Sequence, residues 1–375
     1  MTLTVGVIGG GQLARMMIPP AVELGIQLRV LAESEDSSAR LAATAVGDYR
    51  DLDTVLEFAR GVDVITFDHE HVPQPVLHAL VDAGVAVRPG PDALAIAQDK
   101  LLMRERLEAI GAPVPAWAPV ESERELTAFL RGSGGRAVVK TARGGYDGKG
   151  VRFVRSASEV ADWFGALAED GRGGALLAEE LVEFDRELAQ LVARRPSGDV
   201  VAWPVVETVQ QGGVCAEVFA PAPRSAGSTA AADLAVSIAT GLDVTGVLAV
   251  ELFETPRGRL LVNELAMRPH NSGHWTIEGS TTSQFEQHLR AVLDLPLGVA
   301  DARHPWTVMI NVLGGPAEGS LQDRYPVALA AAPDVKVHAY GKDPRPGRKV
   351  GHVTAWGDDL DDTVYRGRAM SAHFE

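Results

Sequence analysis

The chain is short of most features that would place it in a membrane, in a secreted scaffold or on a nucleic acid. It has a single cysteine, Cys215, which excludes an intramolecular disulfide framework. No apolar run approaches the roughly 18 residues that a membrane-spanning helix needs. The opening residues, MTLTVGVIGGG, carry no basic segment and meet glycines at once, unlike a secretory leader. A cytoplasmic protein is the expectation. Positive charge is scarce too: 35 Lys and Arg against 50 Asp and Glu leave a net charge of −15. That balance excludes a general nucleic-acid or anionic-membrane surface, so anionic ligands must be caught by local basic groups. Internal repeats and low-complexity tracts are absent. The 375 residues suffice for two or three domains with a substantial core.

What is present centres on Val247 to Trp275, VLAVELFETPRGRLLVNELAMRPHNSGHW. Two apolar runs, Val247–Phe253 and Leu260–Val262, flank Thr255-Pro256-Arg257-Gly258, which reads as a turn between antiparallel strands. With the turn centred between Arg257 and Gly258, Glu251 pairs with Glu264 and both carboxylates share a face. A slip of one residue would place them on opposite faces. Side by side, two carboxylates raise one another's pKa and call for a cation between them. Magnesium fits, because it takes one or two carboxylates and fills its shell with water and phosphate oxygens. An exposed edge hairpin with two unrelated acids is the alternative, which apolar Ala249, Val250, Leu261 and Val262 disfavour. The polar run Arg268-Pro269-His270-Asn271-Ser272-Gly273-His274 follows at once, placed to hold an anion at the mouth of the hairpin.

Upstream, Thr4–Ile8 reads as a buried strand running into Gly9-Gly10-Gly11 and a helix from Gln12, the opening of a doubly wound sheet. Gly9, Gly11 and Ala14, with Glu33 after a second strand, fit the dinucleotide fingerprint, so an NAD(P) oxidoreductase is a competing reading. Under either reading the helix N-terminus would bind phosphate. Pro19-Pro20 predicts that Gln12–Ile18 and Ala21–Leu24 are separate or bent turns. Val62–Phe67 and Val85–Val87 read as further strands, with Asp68-His69-Glu70-His71 at a ligand-binding strand end. Asp92–Ile110 reads as one helix carrying Lys100 and Arg104. Lys140 lies at the end of an apolar strand before Gly144-Gly145-Tyr146-Asp147-Gly148-Lys149-Gly150, whose glycine N–H groups can approach phosphate. A plain glycine-rich hairpin is the alternative there. Ala175–Leu181 is an apolar run containing Glu179-Glu180, and Val200–Val209 reads as one strand. Near the end, Lys342-Asp343-Pro344-Arg345-Pro346-Gly347-Arg348-Lys349 sets four basic residues against one acid in a stiff loop.

Together, GGYDGKG at 144–150, NELAMRPHNSGHW at 263–275 and RPGRKVGH at 345–352 resemble the 5-(carboxyamino)imidazole ribonucleotide synthases. The resemblance runs over nearly the whole chain. It implies an α/β protein of ATP-grasp fold: a Rossmann-like domain over 1–98, an ATP-grasp domain over 99–298 with a lid subdomain over roughly 112–180, and a small β-rich C-terminal domain over 299–375. It also implies ATP-dependent carboxylation of 5-aminoimidazole ribonucleotide by bicarbonate in purine biosynthesis, with magnesium, in a homodimer. By the same resemblance Lys100 and Lys140 hold ATP phosphates under the loop 144–150, and Glu179, Glu180, Leu181 and Val182 form the adenine hinge. Glu187 meets the ribose, and Asn263, Glu264 and Gln210 complete the nucleotide site, Gln210 standing where the family often has histidine. Glu251 and Glu264 ligate magnesium. Arg268, His270, Asn271 and Lys349 surround bicarbonate and carboxyphosphate, and Gln12, Leu13, Glu70, Tyr146, Asp147, Arg348 and Lys349 meet the ribonucleotide. A formate-using transformylase of the same superfamily is the neighbouring alternative, and a catalytically dead nucleotide-binding module a more distant one.

Overall fold

The computed structural model describes residues 2–144, 150–169, 174–225 and 229–375. Among these residues the chain builds three sheets. The first is parallel, in the order Ala43–Val46, Gln27–Ala32, Thr4–Ile8, Val64–Phe67. Its central strand TVGVI is buried along its whole length, as a strand covered on both faces must be. Val87 adds only a single bridge to Ile65, so the expected last strand does not form.

The helix Gln12–Glu23 crosses this sheet without interruption, with both Pro19 and Pro20 inside it. The expected break is absent because one face, including Leu13, Met16, Met17 and Ala21, is buried in the domain core. Burying each of the large side chains is worth roughly 1.5–3 kcal/mol, comparable with the roughly 3 kcal/mol that a helix-interior proline costs. The reverse holds at Asp92–Ile110, where the chain forms two helices, Pro91–Gln98 and Lys100–Ala109. Asp99 takes an extended backbone between them and its carboxylate accepts from Leu101 N and Leu102 N. An aspartate so placed starts a helix better than it continues one. Lys100 is thereby set at a helix N-terminus.

A four-stranded antiparallel sheet follows, in the order Trp117–Val120, Leu176–Glu180, Ala137–Thr141, Val151–Val154. The third sheet has nine strands. Its path runs Leu260–Ala266, Gly246–Glu254, Arg186–Arg194, Val206–Gln211, Val214–Ala220, Trp306–Leu313, Lys349–Gly357, Lys336–Ala339, and Val200–Ala202 also pairs with Arg186–Arg194. The single strand expected over Val200–Val209 is thus two, parted at Trp203-Pro204, where proline has no N–H for the ladder. The C-terminal strands are continuous with the hairpin sheet through the pairing of Val214–Ala220 with Trp306–Leu313. The N-terminal sheet is tied to this body by the helix Gln284–Val292. His288 on that helix meets Thr66 Oγ1 at 2.7 Å and accepts from Val247 N at 3.1 Å.

Candidate active site

The hairpin reaches the expected pairing by a different route. Thr255 N donates to Arg259 O and Gly258 has φ +72°, so the turn spans Pro256–Gly258 and centres on Arg257. From that turn the register runs Glu254↔Leu260, Phe253↔Leu261, Leu252↔Val262 and then shifts by one to Glu251↔Glu264. Asn263 is the extra residue of a bulge. Bulges re-aim side chains, and here both Asn263 and Glu264 reach the same cluster of lysines. Glu264 Oε1 lies 3.6 Å from Lys100 Nζ, and Asn263 Oδ1 accepts from Lys140 Nζ at 3.2 Å.

Beneath these groups Arg104 is fully buried. Its Nε donates to Glu179 Oε1 at 2.5 Å and its Nη2 to the Asn263 carbonyl at 2.7 Å. Glu179 Oε2 lies 2.7 Å from Lys140 Nζ. Burial pushes the Glu179 carboxyl up, but the charges of Arg104 and Lys140 outweigh it and hold Glu179 below the ordinary range. One carboxylate against two cations leaves a net positive charge beside the bulge. The Glu179 side chain is therefore committed to Lys140 and Arg104, and Glu180 Oε1 accepts from Ala116 N at 3.1 Å. Residues 180–182 are half-buried at the sheet end. Glu187, opposite Phe253 on the neighbouring strand, is pushed up to about 7 by burial and by the negative charge of Glu251. Gln210 is exposed at an irregularity in the strand Val206–Gln211.

On the other side of Glu251 lies the loop after the hairpin. His270 Nε2 is 3.2 Å from Glu251 Oε1. Burial raises the Glu251 carboxyl, but the hydrogen bond and charge of His270, with Lys349 and Arg268, bring it below the ordinary range. The two carboxylates therefore each have a protein partner, His270 for Glu251 and Lys100 for Glu264. Arg268 Nε donates to Glu70 Oε2 at 2.8 Å, and Glu70 Oε1 accepts from Met267 N at 3.1 Å. Glu70 is thus engaged in holding Arg268. Asn271 and Asn311 exchange carboxamide bonds at 3.1 and 2.7 Å, locking the loop to the strand Trp306–Leu313. Lys349 opens the strand Lys349–Gly357, and its charge acts on Glu251 and His274. A residue nearly 80 positions beyond His270 in sequence is brought to the same carboxylate.

The glycine turn of the N-terminal domain is already filled. Ala14 N donates to Asp68 Oδ1 at 2.8 Å, and Gly10 N to Glu33 Oε2 at 3.1 Å. A Cβ on Gly11 would lie 2.0 Å from Asp68 Oδ2. Two of the N–H groups that would hold a pyrophosphate in a dinucleotide enzyme are thus taken by protein carboxylates. Glu33, paired with His69 and held down to about 2 by that hydrogen bond, is not free for a ribose. The NAD(P) reading falls on these contacts. Gln12 Oε1 accepts from Lys342 Nζ at 2.7 Å, whereas the Leu13 side chain is buried in the domain core. A cleft of about 660 Å³ lies between the glycine turn and the basic loop, walled by Ser37, Arg40, Asp68, Lys342 and Arg348 among others. Of the glycine-loop residues, Gly144 is exposed and Gly150 half-buried, while Gly145, Tyr146, Asp147, Gly148 and Lys149 lie outside the described residues.

A hairpin with paired carboxylates, facing a separate antiparallel sheet that contributes Lys140, defines an ATP-grasp ligase. The ATP-grasp domain matches residues 105–285, the ribonucleotide synthetase preATP-grasp domain 1–98, and the phosphoribosylaminoimidazole carboxylase C-terminal domain 307–366. The chain is 51% identical to the N5-carboxyaminoimidazole ribonucleotide synthase of Mycobacterium tuberculosis, over 99% of this chain and 87% of that one. It is 50% identical to the Corynebacterium ammoniagenes enzyme of the same name, over 99% and 91%. The crystal structure of the Aspergillus clavatus synthase with ADP and 5-aminoimidazole ribonucleotide superposes with a TM-score of 0.88 at 30% identity, covering 99% of this chain and 98% of that one. The chain belongs to the N5-carboxyaminoimidazole ribonucleotide synthase family.

Proposed function

We propose that the protein couples cleavage of ATP to carboxylation of the exocyclic amine of 5-aminoimidazole ribonucleotide by bicarbonate. The products are N5-carboxyaminoimidazole ribonucleotide, ADP and phosphate, in purine biosynthesis. The observation that carries this reading is the meeting of Arg268, His270 and Lys349 around Glu251, on the hairpin whose other acid, Glu264, faces Lys100.

Bicarbonate is a poor electrophile, and phosphorylation to carboxyphosphate gives it a good leaving group. Attack by the amine on the carboxyl carbon then forms the C–N bond as phosphate departs. Phosphoryl transfer needs neutralisation of charge more than a protein nucleophile. Lys100 and Lys140 supply it for the phosphates. Residues 180–182 form the adenine hinge, and Glu187 takes the ribose. Glu251 and Glu264 fit magnesium, because both offer oxygen donors and Glu251 is held ionised. Magnesium bound there would neutralise phosphate charge. Arg268, His270 and Lys349 hold bicarbonate and carboxyphosphate. Asn271, bonded to Asn311, fixes the loop that carries them. The ribonucleotide occupies the cleft beside the glycine turn, its phosphate met by Arg40, Lys342 and Arg348. Gln12 and Glu70 orient it through Lys342 and Arg268. Water must be kept from carboxyphosphate, which hydrolyses readily.

A phosphate-release assay with ATP, magnesium, bicarbonate and aminoimidazole ribonucleotide tests the reading. Release that depends on the ribonucleotide and on bicarbonate is expected. Release that depends on formate instead would assign the protein to the transformylases. We also propose a homodimer, and a solution mass of one chain by light scattering would remove it.

A further inference from the structure

We propose that Gln284 is a positioning residue for the carboxylation loop, its carboxamide replacing a missing strand neighbour and holding His270 on Glu251. The inference rests on the reading of the reaction given above. His270 has the backbone of a strand residue, φ −124° and ψ 155°, yet it follows the end of the strand Leu260–Ala266 and belongs to none. An extended residue in a protein interior leaves both its N–H and its C=O to be satisfied. Gln284 satisfies both. Its Oε1 accepts from His270 N at 2.8 Å, and its Nε2 donates to His270 O at 2.8 Å. Opposed residues of an antiparallel pair are joined by the same exchange of two bonds. Nε2 also lies 2.9 Å from His274 Nδ1, so one side chain holds both histidines of the loop.

The support beneath Gln284 is rigid. The residue is fully buried and opens the helix Gln284–Val292, whose Ser283 cap accepts from Glu286 N. One turn on, His288 fastens this helix to Val247 of the hairpin and Thr66 of the N-terminal sheet. Gly273 belongs to the same device, since a Cβ there would lie 2.4 Å from Gln284 Oε1. The ring that Gln284 positions has a defined orientation. Ser272 N donates to His270 Nδ1 at 3.4 Å, and Ser272 Oγ lies 2.8 Å from the same nitrogen. With Nδ1 occupied by Ser272, the ring turns Nε2 toward Glu251 Oε1. No close relative of glutamine does this work: asparagine is one methylene short, and ionised glutamate cannot donate to the His270 carbonyl.

The test uses full-length Gln284→Leu and Gln284→Glu, with melting curves to establish folding. Three quantities are read: kcat for carboxylation, Mg-ATP affinity by calorimetry, and the ring-nitrogen NMR shifts of His270. Gln284→Leu is expected to lose about 100-fold in kcat, the scale of a misplaced reacting group, with wild-type nucleotide affinity. Its His270 ring-nitrogen shifts should move away from the wild-type values as the ring leaves Glu251. Gln284→Glu offers both bonds only while its carboxyl is protonated, so its kcat relative to wild type should climb as pH is lowered. A folded Gln284→Leu with wild-type kcat overturns the proposal. If that variant does not fold, a Gln284→Glu pH profile parallel to wild type overturns it. Wild-type protein that carboxylates nothing would remove the reading of the reaction instead, and the ring shifts would still decide whether Gln284 positions His270.

Discussion

Glu187 shows how far one residue's setting can move its chemistry. Burial and the charge of Glu251 take its carboxyl from the ordinary 4.5 to about 7 in the folded protein. The folded state then keeps a proton that the unfolded chain has lost, so stability falls as pH rises through this window. Glu187→Gln should flatten that fall in melting curves taken between about pH 5 and pH 8. It should melt above wild type at the alkaline end while binding Mg-ATP more weakly. An unchanged pH slope would show that Glu187 is not the group responsible. Glu251→Ala and Glu264→Ala should each cut ATP turnover by more than about 100-fold, as loss of a site's main electrostatic groups does. Near-normal cleavage by either at saturating magnesium would remove the metal assignment. These acids were legible in the sequence because a charge inside an apolar run is conspicuous, and Lys349 because a basic cluster stands out in an acidic chain. Arg104, Gln284 and Asn311 were not legible in role. Each is a polar residue with little or no exposure, and residue type alone reads as surface.

At the level of elements, the hairpin illustrates how a correct pairing can rest on an incomplete picture. Sequence placed Glu251 opposite Glu264 from a turn centred one half-step away, and the bulge at Asn263 restores that pairing. Turn chemistry is written locally, whereas the bulge is held by distant partners, Arg104 and Lys140. Gly258 has φ +72° with nothing within 4 Å of an added Cβ. Gly258→Ala should therefore lower stability by about 1 kcal/mol through backbone strain alone, leaving kcat intact; a melting curve beside a rate measurement checks both. Asp99→Ala should cost about 1 kcal/mol by loss of the cap and raise the KM for ATP, because Lys100 begins that helix. A variant with unaltered KM would mean that the cap does not govern Lys100. The tandem prolines and the helix break at Asp99 were misread for one reason: propensity yields to burial at the first site and to capping at the second.

Across the whole molecule, the three-part organisation was readable from motif order, but the continuity of the large sheet was not, since pairing between Val214–Ala220 and Trp306–Leu313 leaves no local signature. That continuity delivers Lys349. Lys349→Ala should lose carboxylation severely yet bind Mg-ATP as wild type does, by coupled assay and calorimetry on one preparation. Loss of nucleotide binding as well would assign the lysine to a different ligand. The same sheet also sets the pattern of amide exchange with solvent. Strands 246–254 and 349–357, far apart in sequence, lie on one hydrogen-bonded path. Their amides should share a single opening free energy and exchange together, as members of one cooperative unit do. The smaller sheet built from 117–120, 137–141, 151–154 and 176–180 has its own core and its own ladder. Its deuterium uptake should run on a separate and faster clock, and bound nucleotide should slow that clock first.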